Sequence, residues 1–391
     1  LSSNDRQLVF FSHQFKYCKH QDQLGMSLSH GHSVHVRAPV NLALVKYWGK
    51  KDEGEMLPLN DSLSMNINEL FVDTRVTISD GTSDRVVING KDVEGDQFSS
   101  FKRCFDEARR IGGIKHCFVV QSESLFPVSA GLASSSAGFA AIAFAIGKML
   151  NWDVGTMSHV ARLGSGSACR GVYPGFVHWM AELTSSSDRQ NKCEVVALPE
   201  HWPELTVVVL IGSEEAKQWS SRDGMRRSVA TSGLLQYRAE CCVPERIEHV
   251  RQAILARDFA RLAVEVMRDS CQLHAICLDT YPPLLYLTEF SRQAILMVHS
   301  YNDACGRPKV AYSFDAGSNC FLLCLESEVE QLLAYVCHYF CDTDTMPVIC
   351  GWTQELKTDL SYGEFNQIQR LPGAVRIVVV SKVGSPPTVL H

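Results

Sequence analysis

No apolar run in this sequence approaches the roughly 18–20 residues that a membrane-spanning helix needs. There is no Cys-x-x-Cys pair, no Gly-x-x-x-x-Gly-Lys-Ser/Thr loop, no internal repeat and no low-complexity tract. A basic excess is also lacking, since the formal net charge is −6. Each absence closes a class. No membrane span is expected, and the common P-loop nucleotide fold is not indicated. The charge excludes nucleic acid as a partner, because a nucleic-acid footprint is strongly basic. It leaves an anionic small molecule open, since local cationic clusters decide that. The 15 cysteines are scattered and odd in number. They read as reduced thiols of a cytoplasmic protein, and structural zinc is not expected.

The 391 residues suggest about two domains with ample apolar material for their cores. The centre of organisation is residues 127–136, Pro-Val-Ser-Ala-Gly-Leu-Ala-Ser-Ser-Ser, followed at once by an apolar helix over 137–150. A Gly- and hydroxyl-rich loop that opens a helix offers unpaired N–H groups at the positive end of the helix dipole, an arrangement that favours phosphate. Ser134, Ser135 and Ser136 add hydroxyls for phosphate oxygens or a magnesium ion. An N-cap with spare serines would look the same.

Before that loop, residues 34–38 alternate as a strand, which Pro39 and Asn41 are expected to end. The next stretch crowds Lys46, Tyr47, Trp48, Gly49, Lys50 and Lys51 together: lysines suited to phosphate, beside aromatics that would wall a pocket. A solvated hairpin tip is the plainer reading of it. Strands are expected over 70–79, 84–89 and 117–120, with an Asn89-Gly90 turn closing the second. Phe98, Phe101, Phe105, Ala108 and Ile111 recur at helical spacing. After a helix over 156–163 comes a second Gly-Ser loop, 164–171, carrying Arg170. A polar, proline-bearing stretch within 185–203 is read as the domain boundary. Beyond it a buried strand spans 205–211, and helices dominate to 300, broken at Pro282-Pro283. A strand over 310–314 then runs into Asp315-Ala316-Gly317, with its partner over 321–325, a helix over 328–340 and a last strand over 375–381. An acid in a tight turn at a strand end is a good seat for a catalytic group and also a common turn composition.

Taken in this order, five blocks closely resemble the diphosphomevalonate decarboxylase family of the GHMP kinase superfamily. They are Ala38-Pro39-Val40-Asn41 with Lys46-Tyr47-Trp48-Gly49-Lys50; Gly131-Leu132-Ala133-Ser134-Ser135; Gly164-Ser165-Gly166-Ser167-Ala168-Cys169-Arg170; His274-Ala275 with Cys277-Leu278-Asp279; and Phe314-Asp315-Ala316-Gly317. The resemblance runs from about residue 38 to 385. It implies an α+β, two-domain GHMP-kinase-like fold. Residues 1–33 would be a poorly ordered extension, 34–200 an α/β ATP-binding domain and 201–391 a ferredoxin-like domain. It also implies a homodimer. The implied reaction uses ATP and Mg2+ to convert mevalonate diphosphate into isopentenyl diphosphate, carbon dioxide, ADP and phosphate.

The resemblance further implies roles. Asp315 would be the base, with Arg170 holding both Asp315 and the substrate carboxylate, and Lys46 near the base or the transferred phosphoryl group. Tyr47, Trp48, Gly49 and Lys50, with Ser165, Gly166, Ser167, Ala168 and Cys169, would grip the substrate. Pro127, Ser129, Ala130, Gly131, Leu132, Ala133, Ser134, Ser135 and Ser136 would wrap the ATP phosphates, Ser135 nearest the γ-phosphate and the metal. Some positions depart from the family pattern. Ser136 stands where Ala is common, Ser318 where Pro is usual and Arg222 where Thr is common. A family arginine on the 98–110 helix has no secure counterpart, Lys102 and Arg103 being the candidates. Two other readings stay open at this level: a related kinase that stops after phosphoryl transfer, and an ATP-binding scaffold without turnover. Residues 6–14 loosely resemble an amino-terminal peroxisomal address and are read as a chance match.

Overall fold

The structure is a computed structural model that describes residues 30–124, 134–181, 192–212, 219–342, 347–356 and 359–390. The amino-terminal half holds strands β1 (Ser33–Val45), β2 (Lys50–Asp52), β3 (Leu57–Pro58), β4 (Ser62–Ser79), β5 (Arg85–Ile88), β6 (Lys91–Asp92), β7 (Cys117–Ser124), β8 (Phe176–Trp179) and β9 (Cys193–Ala197). Its helices are α1 (Phe98–Gly112), α2 (Ser134–Met149), α3 (Val154–Gly164) and the short α4 (Ala168–Gly171). The second half holds β10 (Leu205–Ile211), β11 (Val310–Phe314), β12 (Cys320–Leu325), β13 (Val348–Cys350), β14 (Ile377–Lys382) and β15 (Thr388–Leu390). Its helices are α5 (Ser221–Thr231), α6 (Gly233–Tyr237), α7 (Val243–Ala256), α8 (Phe259–Asp279), α9 (Glu289–Ala304) and α10 (Val329–Phe340).

The first sheet runs β15-β1-β4-β7-β5-β6, with β8 and β9 continuing from the first residues of β4. Every pairing in it is antiparallel except β5 with β7. Apolar helix α2 lies over β1 and β4, with α3 and α4 against it. Residues Ala137, Ala140, Ala141 and Ala145 are fully or almost fully buried there, because alanine lets a helix approach a sheet closely. The second sheet runs β11-β12-β10-β14-β13. Its middle strand β10 is buried along its whole length, which is why its sequence is a continuous apolar run rather than an alternating one.

The expected end of β1 at Pro39 is corrected. The strand continues to Val45, and the register slips between Pro39 and Val40. A proline lacks the N–H for a ladder bond, and a bulge is where a sheet accommodates that loss. The loop expected over 164–171 is also corrected, since its last four residues wind into α4. The last strand, β15, returns to pair with β1, which the sequence pattern did not suggest. The two halves are stitched at Asn66, whose side-chain amide donates to the Tyr173 carbonyl at 2.8 Å and the Ser385 carbonyl at 3.0 Å. The Asn89-Gly90 turn joins β5 to β6, both residues having positive φ as a two-residue hairpin requires.

Candidate active site

A cavity of about 930 Å3 opens between the halves. Lys46, Tyr47, Trp48 and Lys50 line it from the segment after β1, and Ser165, Gly166, Ser167 and Arg170 from the α3–α4 junction. Ser135 and Ser136 face it from the first turn of α2, Arg222 from α5 and Asp315 from the turn after β11. Gly49, Ala168 and Cys169 do not line it. Gly49 has φ +88, and a Cβ there would sit 3.1–3.3 Å from Val229, Leu59 and Leu235. It therefore sets the backbone turn between Trp48 and Lys50. Ala168 and Cys169 are buried behind the wall, where the Ser158 hydroxyl donates to the Cys169 carbonyl at 2.8 Å.

The Lys46 ammonium donates to Asp315 Oδ1 at 2.6 Å. The lysine side chain is 3% exposed and the aspartate 26%, so the pair is buried on one side and open to the cavity on the other. Asp315 is fixed by a tight turn in which the Gly317 N–H donates to the Asp315 carbonyl at 2.7 Å. Arg170 does not reach Asp315, contrary to the expectation. Its guanidinium donates to Asn41 Oδ1 at 3.3 Å and to the Ser62 hydroxyl. Burial pushes its pKa down, but a guanidinium remains charged at neutral pH. Asn41 in turn donates to Asn66 Oδ1 at 2.9 Å, so the arginine is seated through the Asn41 amide on the residue that joins the halves.

Trp48 plugs into the second half. It packs with Met225, Leu273, Ile276 and Tyr286 in a separate apolar cluster, and its indole N–H donates to the Ser228 hydroxyl at 3.0 Å. Tyr47 stacks obliquely on Trp179, and burial raises its pKa, keeping the phenol neutral. A Cβ at Gly166 would meet the Tyr47 hydroxyl at 2.8 Å, so only glycine lets these two elements close together.

Lys50 sits 2.8 Å from Glu53, and burial lowers its pKa, with Arg222 and Arg226 adding to the effect. Arg222 donates to the Ser100 hydroxyl at 2.6 Å, spanning the cavity from α5 to α1. Arg103 reaches the same hydroxyl at 3.2 Å, while Lys102 turns outward to Asp106. Lys50, Arg103, Arg222 and Arg226 gather near Glu53, with Asp96 and Asp223 also on the cavity wall, so positive charge is in slight excess, which suits a polyanion. Ser100 carried no signal in the sequence, since a serine on an amphipathic helix looks like any solvated position.

Of the expected ATP loop, Pro127, Ser129, Ala130, Gly131, Leu132 and Ala133 lie outside the described residues, and Ser134 begins α2. Ser136 Oγ is buried without a partner at this helix start. Among the described residues no group of three or more His, Cys, Asp or Glu side chains is placed to hold a metal, and every cysteine is free. The oxygens of Ser135 and Asp315 on the cavity wall are a sparse donor set. Such a set fits a magnesium ion that arrives on nucleotide phosphates and keeps several waters, not one caged by protein. No described helix is long and apolar enough to cross a membrane.

Two family models match the chain. One is a diphosphomevalonate decarboxylase-like N-terminal domain over residues 38–190, and the other a mevalonate 5-diphosphate decarboxylase C-terminal domain over 207–390. A diphosphomevalonate decarboxylase of Rattus norvegicus is 39% identical over 381 residues, covering 90% of this chain and 92% of its own. The solved mevalonate diphosphate decarboxylase from Trypanosoma brucei superposes with a TM-score of 0.81 at 31% identity, covering 92% of this chain and 98% of that one. A further structure, MDDEF in complex with MVAPP, AMPPCP and magnesium, matches at a TM-score of 0.75 and 28% identity, covering 92% of this chain and 99% of that one. With both halves matched by their own models and the relatives aligned along nearly the full length, the chain belongs to the diphosphomevalonate decarboxylase family.

Proposed function

We propose the following division of labour for the ATP-dependent decarboxylation of mevalonate diphosphate, the activity that membership of this family assigns to the chain. A tertiary alcohol is a poor leaving group, so it is first phosphorylated. Asp315 accepts the hydroxyl proton as the oxygen attacks the γ-phosphorus of ATP and ADP departs. Lys46 holds the Asp315 carboxylate in place, and its charge faces the phosphoryl oxygens as they pass. Phosphate then leaves with the C–O electron pair. The C–C pair of the neighbouring carboxylate swings in to form the alkene, and carbon dioxide is released.

Arg170 presents its planar fork to the substrate carboxylate, already oriented by Asn41 and Ser62. Lys50 and Arg222 receive the diphosphate, with Tyr47, Trp48 and the Ser165–Ser167 turn shaping the wall. Ser135 and Ser136 meet the nucleotide phosphates at the start of α2. Magnesium bound with the nucleotide offsets charge on the phosphate oxygens. The ligands of the MDDEF structure support this reading of nucleotide, substrate and metal. The protein acts as a homodimer in the cytoplasm, and sedimentation of the purified chain tests the first of these.

The observation that carries the assignment is the Lys46–Asp315 contact on the wall of a cavity whose other end is cationic. The test is turnover of mevalonate diphosphate labelled at the carboxylate. Labelled carbon dioxide should appear only with ATP and magnesium, and Asp315→Ala should abolish it. Accumulation of a stable phosphorylated alcohol without gas would instead make the chain a kinase.

A further inference from the structure

Lys46 lies one residue beyond β1, past the last ladder pair, Val45 with Leu63. Its backbone groups have no strand partner, yet both are held from the second half of the chain. The Lys46 N–H donates to Asp269 Oδ2 at 2.7 Å. The Lys46 carbonyl accepts from Arg238 Nη2 at 3.2 Å and from Asn60 Nδ2 at 3.0 Å. Arg238 and Asp269 are joined at 2.7 Å, and both side chains are 0% exposed.

Asp269 belongs to α8, and the next residue on that helix holds the other member of the pair. Ser270 Oγ accepts from the Phe314 N–H at 2.9 Å, one residue before Asp315. One turn further, the His274 ring packs edge-on against the Phe314 ring, their centroids 6.4 Å apart. Neighbouring side chains of one rigid helix thus grip the backbone beneath Lys46 and the backbone leading to Asp315.

Stability alone is a poor account of this network. A buried ion pair often contributes little net stability, because desolvation offsets its Coulomb gain. This one also leaves Arg238 Nε and Nη1 buried without partners, a cost that a pair selected for stability would avoid. Arg238 opens a five-residue π-helical turn, Arg238–Cys242, a geometry that is rare and concentrates at functional sites. We propose that Arg238, Asp269 and Ser270 are positioning residues that make α8 a jig setting the distance between Lys46 and Asp315. The proposal rests on the roles given above to those two groups.

The test is steady-state kinetics on Arg238→Lys and Ser270→Ala, each made in the natural sequence and in Lys46→Met. Arg238→Lys keeps a charge near Asp269, but its shorter side chain withdraws the donor that Nη2 gives to both Asp269 Oδ1 and the Lys46 carbonyl. Ser270→Ala is small enough to fold and releases only the Phe314 N–H. In the natural background each should lower kcat by about tenfold or more, with KM for mevalonate diphosphate within about twofold. In Lys46→Met, where no ammonium remains to be placed, each should cost less than about twofold further. A residue that merely props up the fold would cost the same factor in both backgrounds, and that result overturns the proposal, as does an unchanged kcat in the natural background. Should Arg238→Lys not fold, Ser270→Ala decides alone. If Lys46→Met itself retains full kcat, the role given to Lys46 fails and the jig with it. If Lys46→Met is slow but the two variants are not, only the jig fails.

Discussion

Lys46 and Asp315 stand 269 positions apart in the chain, and their side chains meet at 2.6 Å. The contact joins the end of β1 in one half to the end of β11 in the other, so chemistry at this point depends on the relative placement of both halves. Asp315→Asn keeps the shape of the acid but removes its capacity to take a proton. It should lower kcat by about 10²–10⁴ with a smaller change in KM. Lys46→Met should lower kcat on the order of 100-fold. The double variant should be little worse than the poorer single, because groups that act as a unit do not add. Carbon dioxide release under saturating ATP measures all three.

The Trp48–Gly49–Lys50 turn gives a second expectation. At φ +88 an alanine is strained, and its Cβ would press on Val229, Leu59 and Leu235 at 3.1–3.3 Å. Gly49→Ala should cost about 1–3 kcal/mol in denaturant unfolding. It should also raise KM for mevalonate diphosphate, because Trp48 and Lys50 are displaced on either side of it. A neutral result would mean that the turn relaxes without moving its neighbours.

Much of this was legible in the sequence where one physical signal dominated. β10 and β11 fall where continuous apolar runs put them, and α1 where its phenylalanines recur at helical spacing. The motif residues Lys46, Lys50, Ser165, Arg170 and Asp315 share one cavity wall, because short specific blocks keep their local geometry. Long-range partners were not legible. Nothing in a string tells that Arg170 binds Asn41 and Ser62 rather than Asp315. Arg238 and Asp269 look like ordinary charges on solvated helix faces, and only tertiary packing reveals that both are wholly buried. Pro39 misled because proline ends most strands, while here the sheet takes it up in a bulge.

Arg170 is 2% exposed and hydrogen-bonded on two sides, so its plane is fixed before any substrate arrives. Lysine would carry the charge without the fork, and would leave Asn41 or Ser62 short of a donor. Arg170→Lys should therefore lower kcat/KM for mevalonate diphosphate on the order of 100-fold. Affinity for ATP measured alone should change little, because the partner proposed for Arg170 is the other substrate. Equal losses for both ligands would place the arginine in a general structural role instead.

His274 supplies a prediction about acid. Its ring is 6% exposed, and burial, with the Lys46 charge second, lowers its pKa from 6.5 to about 4. In the unfolded chain the same imidazole takes up a proton below about pH 6.5, which the folded protein refuses until about pH 4. Between those values the unfolded state binds more protons, so folding stability must fall as pH falls. One pKa unit corresponds to about 1.4 kcal/mol, and the whole window to about 3.5 kcal/mol at most. Above pH 7 the term vanishes, since the ring is neutral in both states. His274→Gln removes the titration while keeping a polar side chain, so its loss of stability from pH 7 to pH 4 should be shallower than that of the natural sequence. Parallel urea unfolding of the two proteins across this range measures the difference directly. Identical slopes would mean that the folded protein admits the proton after all, through movement of the ring away from Lys46 and Phe314.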